Sequence, residues 1–98
     1  MSNIVEGGCF CGSVRYSFKF DKYPSANCYC SICRRISGAP FVSWLAIPLD
    51  LFKYLNNKPK KIKSSSDGAR FFCDECGTPI ACVLKGDPKN INITIASL

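Results

Sequence analysis

The sequence predicts an all-β domain, and three observations lead to this fold class. Short segments of alternating apolar and polar residues recur along the chain, turn-forming residues separate them at close intervals, and no window sustains a helical period. The 98 residues suffice for one domain with a modest core, and 47% of them are hydrophobic, which is typical of a globular protein. We therefore expect one domain over residues 1–98 that needs stabilisation beyond its core.

The individual elements follow from these patterns in chain order. In residues 13–20, Val14, Tyr16, Phe18 and Phe20 alternate with polar residues, which predicts a half-buried strand. Residues 21–25 predict a turn, and residues 31–36 predict a short helical turn that ends before Gly38 and Pro40. Further strands are predicted over residues 41–47, 52–55, 62–64, 69–72, 79–84 and 90–96, the last with Ile91, Ile93 and Ile95 on one face.

Eight cysteines restrict the function more than any other feature. They form a CxC pair at Cys9 and Cys11, a CxCxxC triplet at Cys28, Cys30 and Cys33, a CxxC pair at Cys73 and Cys76, and an isolated Cys82. Cysteines two or three positions apart allow one turn to present two thiolates to a metal ion at about 2.3 Å. Because the chain contains no histidine, a transition-metal site has to be rich in sulfur, which favours zinc.

The expected compartment supports metal binding over disulfide formation. The first eight residues, MSNIVEGG, contain neither a basic start nor an apolar core, and no apolar stretch is long enough to cross a bilayer. We expect a soluble cytoplasmic protein, in which thiols stay reduced. Its cysteines are then better explained as metal ligands than as disulfides.

The number of cysteines predicts two unequal sites. Cys82 lies in the strand-like segment IACVL, where it is best explained as a buried apolar residue. Seven ligands remain, and they divide into four, which close a structural site, and three, which leave a position open for chemistry. Spacing alone leaves the assignment open. The triplet is close enough to bind one ion from one loop, and joining the two pairs would connect distant parts of the chain.

Three segments carry a resemblance to a known family: GGCFCGSVRY (residues 7–16), CYCSICRRISGAPF (28–41) and SSSDGARFFCDECGTPI (64–80). In this order they resemble the glutathione-dependent formaldehyde-activating enzyme family, which includes the domain of centromere protein V. The resemblance implies a β-tent of short coiled antiparallel sheets, and family domains usually continue past the position of Leu98, so we expect this one to be short at its C-terminus. It also implies two zinc ions, a structural one on Cys9, Cys11, Cys73 and Cys76 and a second one on Cys28, Cys30 and Cys33.

The implied activity is that of a carbon–sulfur lyase, similar to S-(hydroxymethyl)glutathione synthase. It joins a glutathione-type thiol to formaldehyde or another small aldehyde as a hemithioacetal. Zinc bound by three thiolates carries a net charge of −1 and favours a soft sulfur as its fourth ligand, which makes the triplet the expected catalytic site. Arg34, Arg35 and Ser37 follow the triplet and are candidates to bind a substrate carboxylate. Alternatively, they form a solvated turn that neutralises an anionic cluster.

The charge of the chain leaves a rival function open. The formal charge is +6, and ligation of two zinc ions by seven thiolates lowers it by about three. The run KPKKIK at residues 58–63 supports a non-catalytic, zinc-stabilised module that binds nucleic acid or protein, although no aromatic residue is interleaved in it, which favours a solvated loop. We expect a small thiol and an aldehyde as partners, and neither a membrane nor nucleic acid. The chain is a candidate homodimer, and its second zinc site is expected to be partly empty.

Overall fold

Nine short β-strands and one helix make up the protein in a computed structural model, which describes residues 3–98. The elements are β1 (Ile4–Gly8), β2 (Arg15–Lys19), β3 (Ser25–Cys28), α1 (Ser31–Ser37), β4 (Val42–Pro48), β5 (Phe52–Tyr54), β6 (Lys60–Ser65), β7 (Gly68–Phe72), β8 (Pro79–Leu84) and β9 (Asp87–Thr94). Two 3₁₀ turns, Leu49–Leu51 and Ile95–Ser97, follow β4 and β9. The predicted all-β class is confirmed.

The strands form two antiparallel sheets. The smaller sheet has the order β1-β2-β5, and the larger has the order β3-β4-β9-β8-β7-β6. β4 lies between β3 and β9 and pairs with both, so the larger sheet joins early and late segments of the chain. The helix α1 has seven residues, and no helix within residues 3–98 is long and apolar enough to cross a membrane.

The hydrophobic core contains side chains from both sheets. Tyr16 of β2 and Ile47 and Ile93 of the larger sheet are fully buried, and the Tyr16 ring lies 5.3 Å from the ring of Phe52. Two cysteines belong to the same core, which comprises Cys9, Val14, Tyr16, Phe18, Ile47, Cys73, Ile80, Ala81, Ile91 and Ile93. One cysteine of the CxC pair, Cys9, and one of the CxxC pair, Cys73, are therefore part of the packed interior.

A buried hydroxyl pair connects the smaller sheet to the last 3₁₀ turn. The Tyr16 hydroxyl lies 2.6 Å from Ser97 Oγ, and because the Ser97 hydroxyl donates to the Thr94 carbonyl, Tyr16 is the donor in this pair. Gly7 of β1 packs against it, and a Cβ at position 7 would lie 2.5 Å from the Tyr16 oxygen. Only glycine allows this close approach.

The structure departs from the sequence prediction at two apolar residues. β2 ends at Lys19, where its register with β1 also ends, and the side chain of Phe20 just beyond it is exposed. The prediction that Ile95 shares a face with Ile91 and Ile93 is wrong, because β9 ends at Thr94 and Ile95 begins the 3₁₀ turn with its side chain exposed. The alternating pattern alone did not mark the end of either strand.

Two strands were not predicted from the sequence. β1 contains two glycines, and β3 reads Ser-Ala-Asn-Cys, so neither has the β-branched and aromatic residues that strands prefer. Each lies at the edge of a sheet, where it pairs with a neighbour of stronger strand character. Pairing with that neighbour therefore outweighs the weak local propensity.

Candidate metal centres

Four cysteines from two distant segments converge into one cluster, which we call the first cluster: Cys9, Cys11, Cys73 and Cys76. Their sulfur atoms all lie within 4.8 Å of one another. The Sγ atoms of Cys9 and Cys11 are 3.6 Å apart, and those of Cys11 and Cys73 are 3.7 Å apart. A tetrahedron with zinc–sulfur distances of about 2.3 Å has sulfur–sulfur edges of about 3.8 Å. The cluster therefore has the ligand number and size of a closed four-sulfur metal site.

Two similar turns present these thiols. One connects β1 to β2 and the other connects β7 to β8, and in each a glycine with positive φ directly follows the cysteine pair, Gly12 at 82° and Gly77 at 83°. Each glycine N–H donates to the carbonyl of the first cysteine of its pair, Gly12 to Cys9 and Gly77 to Cys73. The glycines thus allow the chain to turn tightly around the sulfurs without the steric cost of a side chain.

Backbone and hydroxyl donors stabilise ionised sulfur at Cys9 and Cys76 of the first cluster. At Cys11 the Ser13 backbone donor is outweighed by desolvation and the neighbouring thiols, which raise its pKa to about 12. The Val14 N–H donates to Cys9 Sγ at 3.2 Å. The pKa of Cys76 is lowered to about 5, chiefly because the Thr78 hydroxyl and then the Thr78 backbone donate to its sulfur. The same hydroxyl oxygen accepts from the Phe10 N–H, which links the two turns. Thiolates are the form that metal ions bind, so these bonds favour ligation.

The remaining triplet forms a separate group, which we call the second cluster: Cys28, Cys30 and Cys33. Their sulfur atoms also lie within 4.8 Å of one another. Cys28 ends β3, Cys30 caps the N-terminus of α1, and Cys33 lies in the helix with its side chain buried. The pKa of Cys30 is lowered to about 6, first because the Cys33 N–H donates to its sulfur and then through the two neighbouring thiols.

The second cluster offers one sulfur fewer than the first. Both clusters reach the surface, the second through exposed Cys30 and the first through exposed Cys11, and each also contains buried sulfur. Three sulfurs supply three corners of a tetrahedron, so an ion bound here would have one position not occupied by these cysteines. The donor set fits a metal ion with one exchangeable ligand.

Arg70 is a site residue that sequence analysis missed. It lies on β7, is only 8% exposed, and donates from Nη1 to Cys33 Sγ at 3.3 Å. Its Nε donates to Ser64 Oγ, and its guanidinium lies 5.5 Å from the centre of the Trp44 ring. The signal was present in the segment ARFF, where a charged residue interrupts a strand that enters the core and therefore needs a buried partner.

The remaining candidates have different surroundings. Cys82 is buried and lies outside both clusters, on β8 opposite Arg70. Arg34 and Arg35 are exposed in the last turn of α1, where cations favour the helix dipole. The Ser37 hydroxyl donates to the Cys33 carbonyl and accepts from the Ala39 N–H, so it contributes to the end of the helix.

Two pockets flank the second cluster's helix. One of about 500 Å³ lies between the end of α1 and the final 3₁₀ turn, with Ser37 and Thr78 in its wall. The other, of about 350 Å³, is largely apolar and includes Ile36, Trp44 and Arg70. Arg70, which lines this pocket, also contacts Cys33, so the pocket lies next to the second cluster.

The lysine run has a structural explanation. Residues 60–63 belong to β6, the edge strand of the larger sheet, and Lys60, Lys61 and Lys63 are all exposed. Lysines on an edge strand prevent pairing with other chains. The run therefore does not require a nucleic-acid partner.

The fold and its two cysteine clusters define a small all-β protein with sulfur-rich candidate metal centres. The family model described as "Glutathione-dependent formaldehyde-activating enzyme" matches residues 4–98, so the chain belongs to that family. A protein of Halomonas elongata, named "Putative glutathione-dependent formaldehyde-activating enzyme", is 31% identical over 79% of this chain and 54% of its own length. A protein of Schizosaccharomyces pombe, named as an uncharacterized lyase, is 28% identical over 76% of this chain and 54% of its own length.

The chain thus spans about half the length of these curated relatives. A crystal structure of a Rhodobacter sphaeroides protein superimposes with a TM-score of 0.81, covering 96% of this chain and 87% of that one. The sequences of this pair are 19% identical, so the similarity supports the fold alone. The predicted family membership is confirmed.

Proposed function

We propose that this chain binds a glutathione-type thiol at a zinc ion held by the second cluster and promotes its addition to formaldehyde or another small aldehyde. The first cluster would hold a structural zinc. The observation that carries the proposal is the division of seven cysteines into a group of four, which can close a tetrahedral site, and a separate group of three, which cannot. A chain that needed zinc only for stability would gain nothing from leaving one position free.

The chemistry suits a sulfur nucleophile. A thiol loses its proton, the thiolate sulfur forms a bond to the carbonyl carbon, and the carbonyl electron pair moves to oxygen, which takes up a proton to give the hemithioacetal. Zinc would supply a soft Lewis acid that selects a thiol and lowers its pKa. The chain has no histidine, which fits a reaction whose nucleophile is ionised without a strong general base.

The chain's own residues offer recognition beside the open position. Arg34 and Arg35 are exposed one turn beyond Cys30 and remain our candidates for a substrate carboxylate, because guanidinium groups bind carboxylates in a bidentate manner. Ser37 was predicted to join them. Its hydroxyl hydrogen is already donated to the Cys33 carbonyl, so we assign the binding role to the two arginines.

The test measures zinc release to a chromogenic chelator with and without glutathione. We expect two zinc ions per chain, one of them released readily, because three ligands hold it in an exposed segment. Glutathione should slow the release of that ion, whereas S-methylglutathione, which has the same peptide but no free thiol, should not. Equal effects of the two peptides would contradict thiol binding at the metal.

A matched pair of variants locates the effect. Cys30→Ala removes an exposed member of the second cluster and should abolish glutathione protection while the fold and the other zinc remain. Cys82→Ala removes a buried thiol that lies outside both clusters and should keep the protection. If Cys30→Ala still showed protection, the thiol would bind elsewhere, and a non-catalytic, zinc-stabilised module would be the better explanation.

A further inference from the structure

Arg70 is a buried cation without a carboxylate partner. Within residues 3–98, the structure contains one salt bridge, between Arg15 and Glu6, and it lies on the smaller sheet. Arg70 is 8% exposed, and its hydrogen-bond acceptors are the Ser64 hydroxyl and the Cys33 sulfur. A buried guanidinium needs a negative charge nearby, and the Cys33 sulfur would supply one when it binds a metal ion as a thiolate.

The same contact would offset the negative charge of a metal-loaded second cluster. Three thiolates and one divalent ion sum to −1, and a site with that charge repels a further thiolate. One guanidinium at Cys33 brings the sum to zero. A hydrogen bond to a ligating atom also fixes its orientation and tunes its interaction with the metal. Two other strands hold the guanidinium in place: it lies over the Trp44 ring of β4 and donates to the Ser64 hydroxyl of β6.

From this geometry we infer that Arg70 is a positioning residue of the second cluster: it orients Cys33 and offsets the cluster's negative charge, which allows the site to retain its ion and accept a substrate thiolate. The inference rests on the proposed function, because it requires a metal ion on Cys28, Cys30 and Cys33. It assigns the role of charge compensation to β7, a strand that contributes none of these three cysteines. Arg34 and Arg35 then remain free for substrate.

The test compares Arg70→Met, which keeps much of the side-chain volume, with Arg70→Lys, which keeps the charge. Zinc content and the rate of zinc release to a chelator are measured without any substrate, and the cobalt-substituted proteins are compared by their sulfur-to-metal charge-transfer bands. Arg70→Met should weaken retention of the second ion by about 10–100-fold. Arg70→Lys should recover most of that loss, and the first ion should be unaffected in both variants.

Lys61→Met is the matched control, because it removes an exposed cation from the neighbouring strand β6. It should leave both ions unchanged. Two results would overturn the inference. In one, Arg70→Met retains the second ion as tightly as the unchanged protein does. In the other, it retains the ion more tightly than Arg70→Lys does, and Arg70 then acts through packing alone. Should Arg70→Met fail to fold, Arg70→Lys decides alone: near-normal retention with unchanged charge-transfer bands supports the inference, and loss of the second ion overturns it.

The outcome also separates this inference from the proposed function. Two ions in the unchanged protein, with glutathione protection and no effect of Arg70, would overturn the inference alone. An unchanged protein that bound only one ion even after incubation with excess zinc would overturn both.

Discussion

Replacing Cys73 by alanine tests whether the first cluster holds the fold together. Cys73 is fully buried, belongs to the hydrophobic core, and its sulfur lies 3.7 Å from that of Cys11. The two residues are 62 positions apart in sequence. A metal ion bound between them would therefore close most of the chain into a loop.

The structure gives a magnitude for this closure. By the chain-entropy relation used for cross-links, closing a loop of 62 residues destabilises the unfolded chain by about 4 kcal/mol. Domains of this size are stable by only about 5–15 kcal/mol. Three ligands hold an ion more weakly than four, so we expect Cys73→Ala to lose the ion and with it this closure. Since each kcal/mol corresponds to about 4–8 °C in the melting temperature, the variant should melt about 20 °C lower or lose its cooperative transition.

Cys82→Ala is a matched control for the same chemical change. Cys82 is as buried as a core residue but lies outside both clusters, so alanine there loses only packing, about 1–2 kcal/mol or less. Thermal unfolding by circular dichroism and zinc content by elemental analysis are measured on both variants. Cys82→Ala should keep both ions and melt about 4–16 °C lower or less, while its zinc content separates it from Cys73→Ala.

Two results would refute this reasoning. If Cys73→Ala kept its full zinc content and an unshifted transition, the first cluster would not bind metal. If Cys82→Ala lost one ion, the division of the cysteines into four and three would be wrong.

Two further predictions concern the backbone and the core. Gly77→Ala introduces a side chain at a φ of 83° with open space around it, so the cost is backbone strain of about 1–2 kcal/mol. Gly86→Ala is the control, because position 86 is also in open space but has no positive φ, and it should be close to neutral. Equal melting temperatures for the two variants would contradict the strain. Tyr16→Phe removes the buried hydroxyl that donates to Ser97 Oγ, so the Ser97 oxygen loses this donor. The free energy of unfolding measured in urea should fall by about 1–3 kcal/mol. Tyr29→Phe changes an exposed ring and serves as its control.

Sequence reasoning succeeded where chemistry and periodicity were local. The alternation of Val14, Tyr16 and Phe18 predicted a buried strand face, and those residues are in the core. The spacing of the triplet predicted that Cys28, Cys30 and Cys33 can lie around one ion, and the structure brings their sulfur atoms together. The pairing of the other four cysteines was implied only by the family resemblance, and the structure groups them in the same way. For the strand face and the triplet, the residues that carry the signal lie within a few positions of one another in the chain.

It failed where a partner distant in sequence decides the structure. β3 has weak strand propensity and exists because β4 pairs with it, and Ile95 leaves its strand where Ser97 turns inward to meet Tyr16. Arg70 is 37 residues from Cys33, so no local pattern connects them. A charge in an apolar strand was the available signal, and it indicates that a partner is needed without indicating which one.

The two clusters differ in how far apart their ligands lie in the chain, and this sets the order in which they can be completed during synthesis. All three thiols of the second cluster are available once Cys33 has left the ribosome, whereas the first cluster lacks half of its ligands until Cys73 and Cys76 follow. The nascent chain therefore offers a local three-sulfur site before it has a core, and the closing of the four-sulfur site is a late event that depends on the two sheets having met. If the first cluster binds zinc as we propose, chains in a cell short of zinc would wait at this step, and metal supply would limit the yield of folded protein.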